Sequence, residues 1–299
     1  MSSASLKAPL RVVIIHWNQA QSCVETVERF LADQLRVRVT VIDNGSSSEQ
    51  LAVLRRGLAT LEGSAVTLVE TGRNLGFGPG ANVGLRMFLD DPNDGDWVVV
   101  APHDVDPAPD CLSEMLCAAG AEPMAGLMCA DVGDGMTPVI DPYFGGMVVP
   151  SSLPSTGTPR WEEVDYPHGT LMMLKRACLD ESGIFDERYF SYCEEADLGI
   201  RVRRAGWRVG LIRGAKVTNM HIGSGVRLVD YLQTRNTLLL VQENSGWYHA
   251  FVRGVITIEQ VVRGLLWPAS RPLIFDPTAR LKGLRDFILR RFGPPPSSL

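Results

Sequence analysis

LRVVIIHWN, residues 10–18, decides the fold: an aliphatic, β-branched run from Arg11 to His16 that stops on polar residues. Such a run is too short for a helix and too apolar for a surface strand, so it reads as a strand buried on both faces. The pattern then repeats. Strands are expected at Val37–Ile42, Ala65–Val69 and Trp97–Ala101, with helical stretches between them. The first helix, near Ser22–Gln34, carries Val24, Val27, Phe30 and Leu31 at helical spacing. Strand and helix in alternation make a mostly parallel α/β sheet with helices on its faces. Ligands of such sheets sit at the C-terminal strand ends, and there the chain delivers His16-Trp17-Asn18, Asp43-Asn44 and Arg73-Asn74.

With 299 residues, 45% of them hydrophobic and 21% charged, the chain can bury one large core or two ordinary ones. A formal net charge of -5 removes the basic excess that a general nucleic-acid binder needs, so no nucleic-acid partner is expected. The first apolar run is too short for a signal segment, and the longest later one, Phe251–Trp267, is interrupted by Arg253, Glu259 and Arg263. Six scattered cysteines without a Cys-x-x-Cys pair read as reduced core thiols of a cytoplasmic protein.

Beyond residue 106 the chain is less regular. Residues 131–165, rich in Gly, Pro and Ser, read as long loops around a short strand or two, with an apolar patch at Met147–Val149. Regular structure resumes with a strand at Leu171–Leu174, a helix near Ala196–Ala205, and strands at Trp207–Ile212 and Lys216–Met220. Helices follow near Leu228–Asn244, Tyr248–Leu266 and Thr278–Arg291, ahead of a Pro-rich tail. With its aromatic ends and neighbouring arginines, the middle helix suits either packing on the preceding domain or peripheral contact with a membrane.

Five stretches could carry chemistry. Asp43, past a strand end, can accept from a nucleobase or a ribose, or can cap a helix. In Arg73–Asn82, glycines, a helix opening, a cation and the amides of Asn74 and Asn82 suit a diphosphate or its nucleoside. The same stretch matches G-x-G-x-x-[GA] from Gly76 to Ala81, which would instead make a dinucleotide site, although Pro79 and its place after the third strand weaken that match. Asp104 and Asp106 offer hard oxygen ligands for Mg²⁺ or Mn²⁺, or form a solvated Asp-Pro loop. Glu194, Glu195 and Asp197 open a helix behind a dense aromatic run, a setting that raises a carboxylate pKa into the range of a general base, or else they suit the positive end of the helix dipole, with Asp197 and Arg201 a plain i, i+4 pair. His221, in a Gly-rich loop, is a candidate third metal ligand.

In this order the stretches VVIIHWN, VIDNGS, GRNLGFGPGANVG, HDVDPAPDCL, GIFDERYFSYCEEADLGIRVRRAGW and the later HIGS and TRN resemble the family-2 glycosyltransferases of the GT-A fold, especially rhamnosyltransferase-like members, over about residues 10–236. The resemblance implies an inverting transfer, with a divalent cation, from a nucleotide-diphosphate sugar (dTDP- or UDP-linked) to a hydroxyl of a glycan or lipid-linked acceptor. It implies Asp43 at the nucleoside, Asp104 at metal and diphosphate, His221 completing the metal site, and Glu195 as the base. Arg235 falls where relatives carry Arg-Asn and is a candidate phosphate contact; His16, Asn18, Arg73, Asn74, Gly76 and Asn82 complete the expected donor site. Two departures stand out: Glu194-Glu195 replaces the usual Glu-Asp, and Pro102 occupies a position commonly Asp or Asn. The expected organisation is a tail at 1–9, a catalytic domain at 10–227 (nucleotide half 10–106, acceptor half 107–227) and a helical region at 228–299. The competing readings are a nicotinamide-dependent oxidoreductase built on Gly76–Ala81 and a nucleotide-sugar-binding protein without turnover.

Overall fold

A computed structural model of the chain describes residues 8–61, 65–153, 160–219, 225–297 and 299. The first half follows the expected alternation: β1 (Leu10–His16), α1 (Ala20–Leu31), β2 (Val37–Asp43), α2 (Ser48–Ala59), β3 (Val66–Glu70), α3 (Phe77–Asp90) and β4 (Trp97–Pro102). Then come β5 (Val105–Pro107), α4 (Cys111–Ala121), β6 (Ala125–Asp131), β7 (Met136–Asp141), β8 (Gly145–Pro150), β9 (Arg160–Glu163), β10 (Met172–Lys175), α5 (Arg176–Ser182), α6 (Glu194–Arg204) and β11 (Arg208–Asn219). Three helices close the chain: α7 (Val226–Ser245), α8 (Trp247–Leu266) and α9 (Pro277–Ile288).

One sheet runs in the order β3-β2-β1-β4-β10-β6-β11-β5, with β9 added to β11. β1 to β4 are mutually parallel, and β10 lies antiparallel between β4 and β6. The β1 run is apolar throughout because both faces are covered. Val12 and Ile14 join the core under α1, α2 and α4, whereas Val13 and Ile15 join the one under α3, α5 and α6.

Several expectations need correction here. β6, a fully buried strand, and α4 before it were not anticipated. The two strands expected at Trp207–Ile212 and Lys216–Met220 are one, β11, with a register shift between Ile212 and Lys216. Residues 131–165 hold an antiparallel hairpin, β7-β8, as well as β9, and the Met147–Val149 patch is exposed on β8. All six cysteines are free, but Cys117 is exposed rather than in the core. α7 packs through Leu238 to Val241, which share a cluster with Tyr189 and with Ala196 of α6.

Candidate active site

The strand ends build the first corner. His16 and Asp43 are register partners at the ends of β1 and β2, both almost fully buried, with His16 Nδ1 2.9 Å from Asp43 Oδ1. The Gln19 N–H donates to His16 Nε2 (3.2 Å), which leaves the ring proton on Nδ1, donated to Asp43. Burial holds the His16 pKa below its usual value, consistent with that neutral tautomer. Asp43 does not cap α2; Ser47 does. Asp43 instead also accepts from the Ser46 N–H (3.3 Å). Asn18, at φ 54°, ties the two ends together by donating its N–H to Ser46 Oγ (2.9 Å) and accepting from the Ser47 N–H (2.8 Å). Trp17 beside it is 45% exposed, the large aromatic face at this corner that the sequence displays but that carried no assigned role.

Gly45 has φ 72°, and a Cβ there would lie 2.3 Å from the Arg73 backbone. Only glycine lets the β3–α3 loop cross so closely, and the crossing brings exposed Arg73 to the Asp43 corner. Asn44 Nδ2 donates to the Gly76 carbonyl (2.8 Å) and Asn74 Oδ1 (3.2 Å), and Leu75 N–H donates to Asn44 Oδ1 (2.9 Å). Asn74 therefore shapes the loop.

The rest of the glycine-rich stretch does something different from what the sequence suggested. A Cβ on Gly76 (φ 94°) would meet the Phe190 carbonyl oxygen at 2.1 Å, Phe77 N–H donates to Ser191 Oγ (3.0 Å), and Gly78 lies against Glu194. Buried Asn82 donates to the Phe185 carbonyl (2.9 Å) and accepts from the Phe185 N–H (3.0 Å). So the opening of α3 is covered by residues 185–194 of the same chain. Gly76 and Asn82, expected at the donor, are the seat of the acidic segment.

That segment turns sharply: Phe190, Tyr192 and Cys193 have φ of 66°, 69° and 71°, a left-handed run of non-glycine residues leading into α6. Arg235 and Asn236 of α7, both fully buried, hold it. Asn236 Nδ2 lies 2.7, 2.8 and 2.9 Å from the carbonyls of Tyr189, Ser191 and Tyr192, and Arg235 Nη2 lies 3.3 Å from that of Tyr189. Arg235 also donates to Asn236 Oδ1 (3.0 Å) and stacks on Tyr231, 5.2 Å from its ring centre. The expected phosphate contact of Arg235 is thus corrected: its guanidinium is enclosed by protein.

The run delivers Glu194 and Glu195. A Cβ on Gly169 would sit 2.3 Å from Glu195 Oε1, and Gly169 lies just before β10, whose Met172 pairs with Val100 of β4 and Cys129 of β6. Because β10 is antiparallel to β4, its start lies on the same sheet edge as the ends of β1 and β4. Glu195 is therefore at the crevice, half-buried, while Glu194 is fully enclosed and its Oε2 has no partner among the described residues. Burial pushes Glu194 well above the carboxylate range and the neighbouring Glu195 charge adds to it; burial raises Glu195 too, opposed by hydrogen bonds from its surroundings. Glu194 is the member that keeps the proton. Asp197, although raised by burial, is engaged by Arg201 at 2.8 Å, which also donates to the carbonyls of Ser182 and Ile184. It anchors α6.

A folded-state pKa above the ordinary glutamate value of 4.5 makes the Glu194 contribution to stability complete below that pH and progressively lost above it. Glu194→Gln fixes the neutral form. Its melting temperature should exceed that of the parent at pH 7 by at least about 2 °C, with the gap closing at pH 4. Thermal unfolding across that range measures this directly.

Asp104, 7% exposed, lies in the turn after β4, next to the β1 end. Asp106 on β5 is engaged by Arg29 of α1 (2.9 Å). His221 falls outside the described residues, and among those described no three His, Cys, Asp or Glu cluster around a metal position. One carboxylate still fits Mg²⁺ or Mn²⁺ here, because such ions take one or two protein carboxylates and complete their shell with diphosphate oxygens and water.

Residues 11–178 match the sequence model of Glycosyl transferase family 2. The chain belongs to that family. It is 29% identical over 285 residues to the N-acetylglucosaminyl-diphospho-decaprenol L-rhamnosyltransferase of Mycobacterium tuberculosis, covering 82% of this chain and 89% of that one. It is 25% identical over 176 residues to the low-salt glycan biosynthesis hexosyltransferase Agl10 of Haloferax volcanii, covering 57% and 54%. In fold it resembles the mannosyltransferase PcManGT of Pyrobaculum calidifontis, solved with GDP-Man and Mn²⁺ (TM-score 0.58, 15% identity, 95% of this chain and 87% of that one). It also resembles GalNAc-T7, solved with UDP, GalNAc and Mn²⁺ (TM-score 0.66, 14% identity, 95% and 54%). The GT-A fold and the glycosyltransferase reading therefore hold. Family membership removes the support for an oxidoreductase on Gly76–Ala81, and the geometry gives the reason: Gly76 and Gly78 make room for the chain's own acidic segment, and Gly80 packs on Asn44 and Ile15.

Proposed function

We propose that this family-2 glycosyltransferase moves a deoxyhexose, rhamnose or a close relative, from a dTDP- or UDP-linked donor to a hydroxyl of a lipid-linked glycan at the inner face of the plasma membrane. The observation that carries the reading is the Glu194–Glu195 pair at the sheet edge where β1 and β4 end, in a chain similar over most of its length to a rhamnosyltransferase with a lipid-linked acceptor. The division of labour follows the chain: residues 10–106 for the nucleotide, 107–227 for the acceptor and 228–299 as a helical support.

In the mechanism, Asp43 accepts from the nucleoside, Trp17 offers a stacking face and Arg73 meets the diphosphate charge. Asp104 would hold a divalent cation, which when bound would neutralise charge on the diphosphate and so favour its departure. Glu195 takes the proton of the acceptor hydroxyl, whose oxygen forms a bond to the anomeric carbon from the side opposite the diphosphate. The bond from that carbon to the diphosphate oxygen breaks, the electron pair leaves with the nucleoside diphosphate, and the anomeric configuration inverts. Glu194, protonated beneath Glu195, orients the base.

The reading is tested by incubating the protein with dTDP-rhamnose, UDP-sugars and a polyprenyl-diphosphate-linked N-acetylglucosamine. Glycosylated lipid and free nucleoside diphosphate are expected; absence of turnover with every donor would leave a nucleotide-sugar-binding protein. Metal use has its own readout. Mn²⁺ should raise the melting temperature of the protein with dTDP or UDP by about 2–4 °C, and Asp104→Ala should abolish that increment. An unchanged increment in Asp104→Ala would move the metal elsewhere.

A further inference from the structure

α8 carries two apolar faces. Its inner face is small: Ala250, Gly254, Thr257, Val261 and Gly264 are buried, and Gly264 packs so closely on Phe275 that a Cβ would come within 2.4 Å of the ring. Its outer face is large. Phe251 is 70% exposed, Val255 50%, Ile258 48%, Val262 48% and Leu266 63%, a stripe at spacings of three and four residues. A helix that only docked on its own domain would turn polar side chains outward. Here the charged pair on the outer face is Glu259 with Arg263.

The apolar surface continues past the helix. Leu273 is fully exposed, and Leu281, Ile288 and Leu289 of α9 and the turn after it are 45%, 67% and 51% exposed. A groove of about 260 Å³ between α8 and α9, walled by Trp247, Phe251, Val255, Leu284 and Ile288, joins the two helices into one surface. Soluble monomers rarely leave a contiguous apolar area of this kind uncovered. Its rim has a charge and an aromatic pattern. Residues 271–291 hold six Arg or Lys and two carboxylates in a chain whose net charge is -5. Arg285, Arg290 and Arg291 are exposed on the same stretch as Leu281, Ile288 and Leu289. Trp247 and Tyr248 stand exposed at one end of α8 and Trp267 at the other.

We infer that the outer face of α8, with the exposed side of α9, seats in the interface of an anionic lipid bilayer, α8 lying in the membrane plane. A helix of 20 residues is about 30 Å long, and none of the described helices is long and apolar enough to cross the membrane. An amphipathic helix with aromatic ends and a cationic border binds by burying its apolar side chains below the headgroups while the cations attract anionic lipid. The inference rests on the lipid-linked acceptor proposed above, and deepens it by naming the surface that meets the membrane. A second copy of the chain would seal a single stripe of α8; a surface spread over two helices, bordered by like charges, fits lipid better.

Flotation separates these. The full chain should rise with vesicles of phosphatidylcholine and phosphatidylglycerol at low salt, and rise less in high salt or with pure phosphatidylcholine. Phe251→Glu combined with Val262→Glu changes two exposed positions that are assigned no part in the crevice. That variant should lose about a hundredfold in partitioning while keeping its melting temperature and its nucleoside-diphosphate binding. The inference is overturned if the parent stays at the bottom with both vesicle types, if the double variant floats like the parent, or if the parent is a dimer that the double variant makes monomeric. None of these readouts depends on turnover. A failure of transfer with a short-chain, water-soluble acceptor would count against the enzymatic reading and leave the flotation result standing.

Discussion

Glu195→Gln is expected to lower kcat by about two to four orders of magnitude while changing donor affinity little, because glutamine keeps the shape and hydrogen bonding of the base but cannot take a proton. Its neighbour gives the contrast. Burial and the Glu195 charge favour the neutral form of Glu194, so Glu194→Gln, which fixes that form, should cost kcat less than about tenfold. Single-turnover transfer with saturating donor measures both. Equal losses at the two positions would mean that the pair shares its proton and acts as a unit. The pH profile supplies an independent reading. Since burial raises the Glu195 pKa, the acid limb of kcat/KM should lie above the ordinary glutamate value of 4.5 and activity should be lost on falling through it. In Glu195→Gln that limb should vanish from the residual rate.

The residues of the first four strands were legible because their signals are local. β1, β2 and β4 are β-branched runs; β1 and β2 end on His16 and Asp43, and β4 leads into His103 and Asp104, which the parallel topology must deliver to the same edge. β6 was not, for a physical reason: α4 and β6 read CLSEMLCAAGA and AGLMCAD, mostly small or apolar with few polar residues to mark a period, so neither period stands out. The antiparallel insertion of β10 is likewise decided by pairing with β4 and β6, not by its four residues. At the site, residue types were readable but commitments were not. Asn82 and Arg235 look like donor contacts in sequence and are taken by Phe185 and Tyr189, residues 103 and 46 positions away. Those partners are made by the fold, and no local pattern encodes them.

The deepest of these commitments yields the other large effect, at Asn236. Three non-glycine residues in left-handed conformation within four positions store strain, each at about 1 kcal/mol or more, and such a run persists only where its surroundings over-determine it. The Asn236 amide nitrogen is the part of α7 that touches three carbonyls of the run at once. Asn236→Ala leaves those carbonyls buried beside a void, and a lost buried partner costs about 1–3 kcal/mol per group. Asn236→Asp is worse, because it turns acceptor oxygens on acceptor carbonyls. Released, Phe190 to Cys193 relax toward ordinary backbone angles and shift the start of α6, carrying Glu195 off the acceptor hydroxyl. A displacement on the order of 1 Å is enough for about a hundredfold loss of rate. Donor binding should survive, since the His16–Asp43 corner has its own support from Gln19, Ser46 and Asn18. The expected signature is thus a kcat down by about a hundredfold or more, a lowered melting temperature and an unchanged Kd for the nucleoside diphosphate. A variant that kept full kcat at a reduced melting temperature would show the clamp to be structural support alone, and a variant that lost nucleotide binding with kcat would show the two halves of the crevice to be ordered as one.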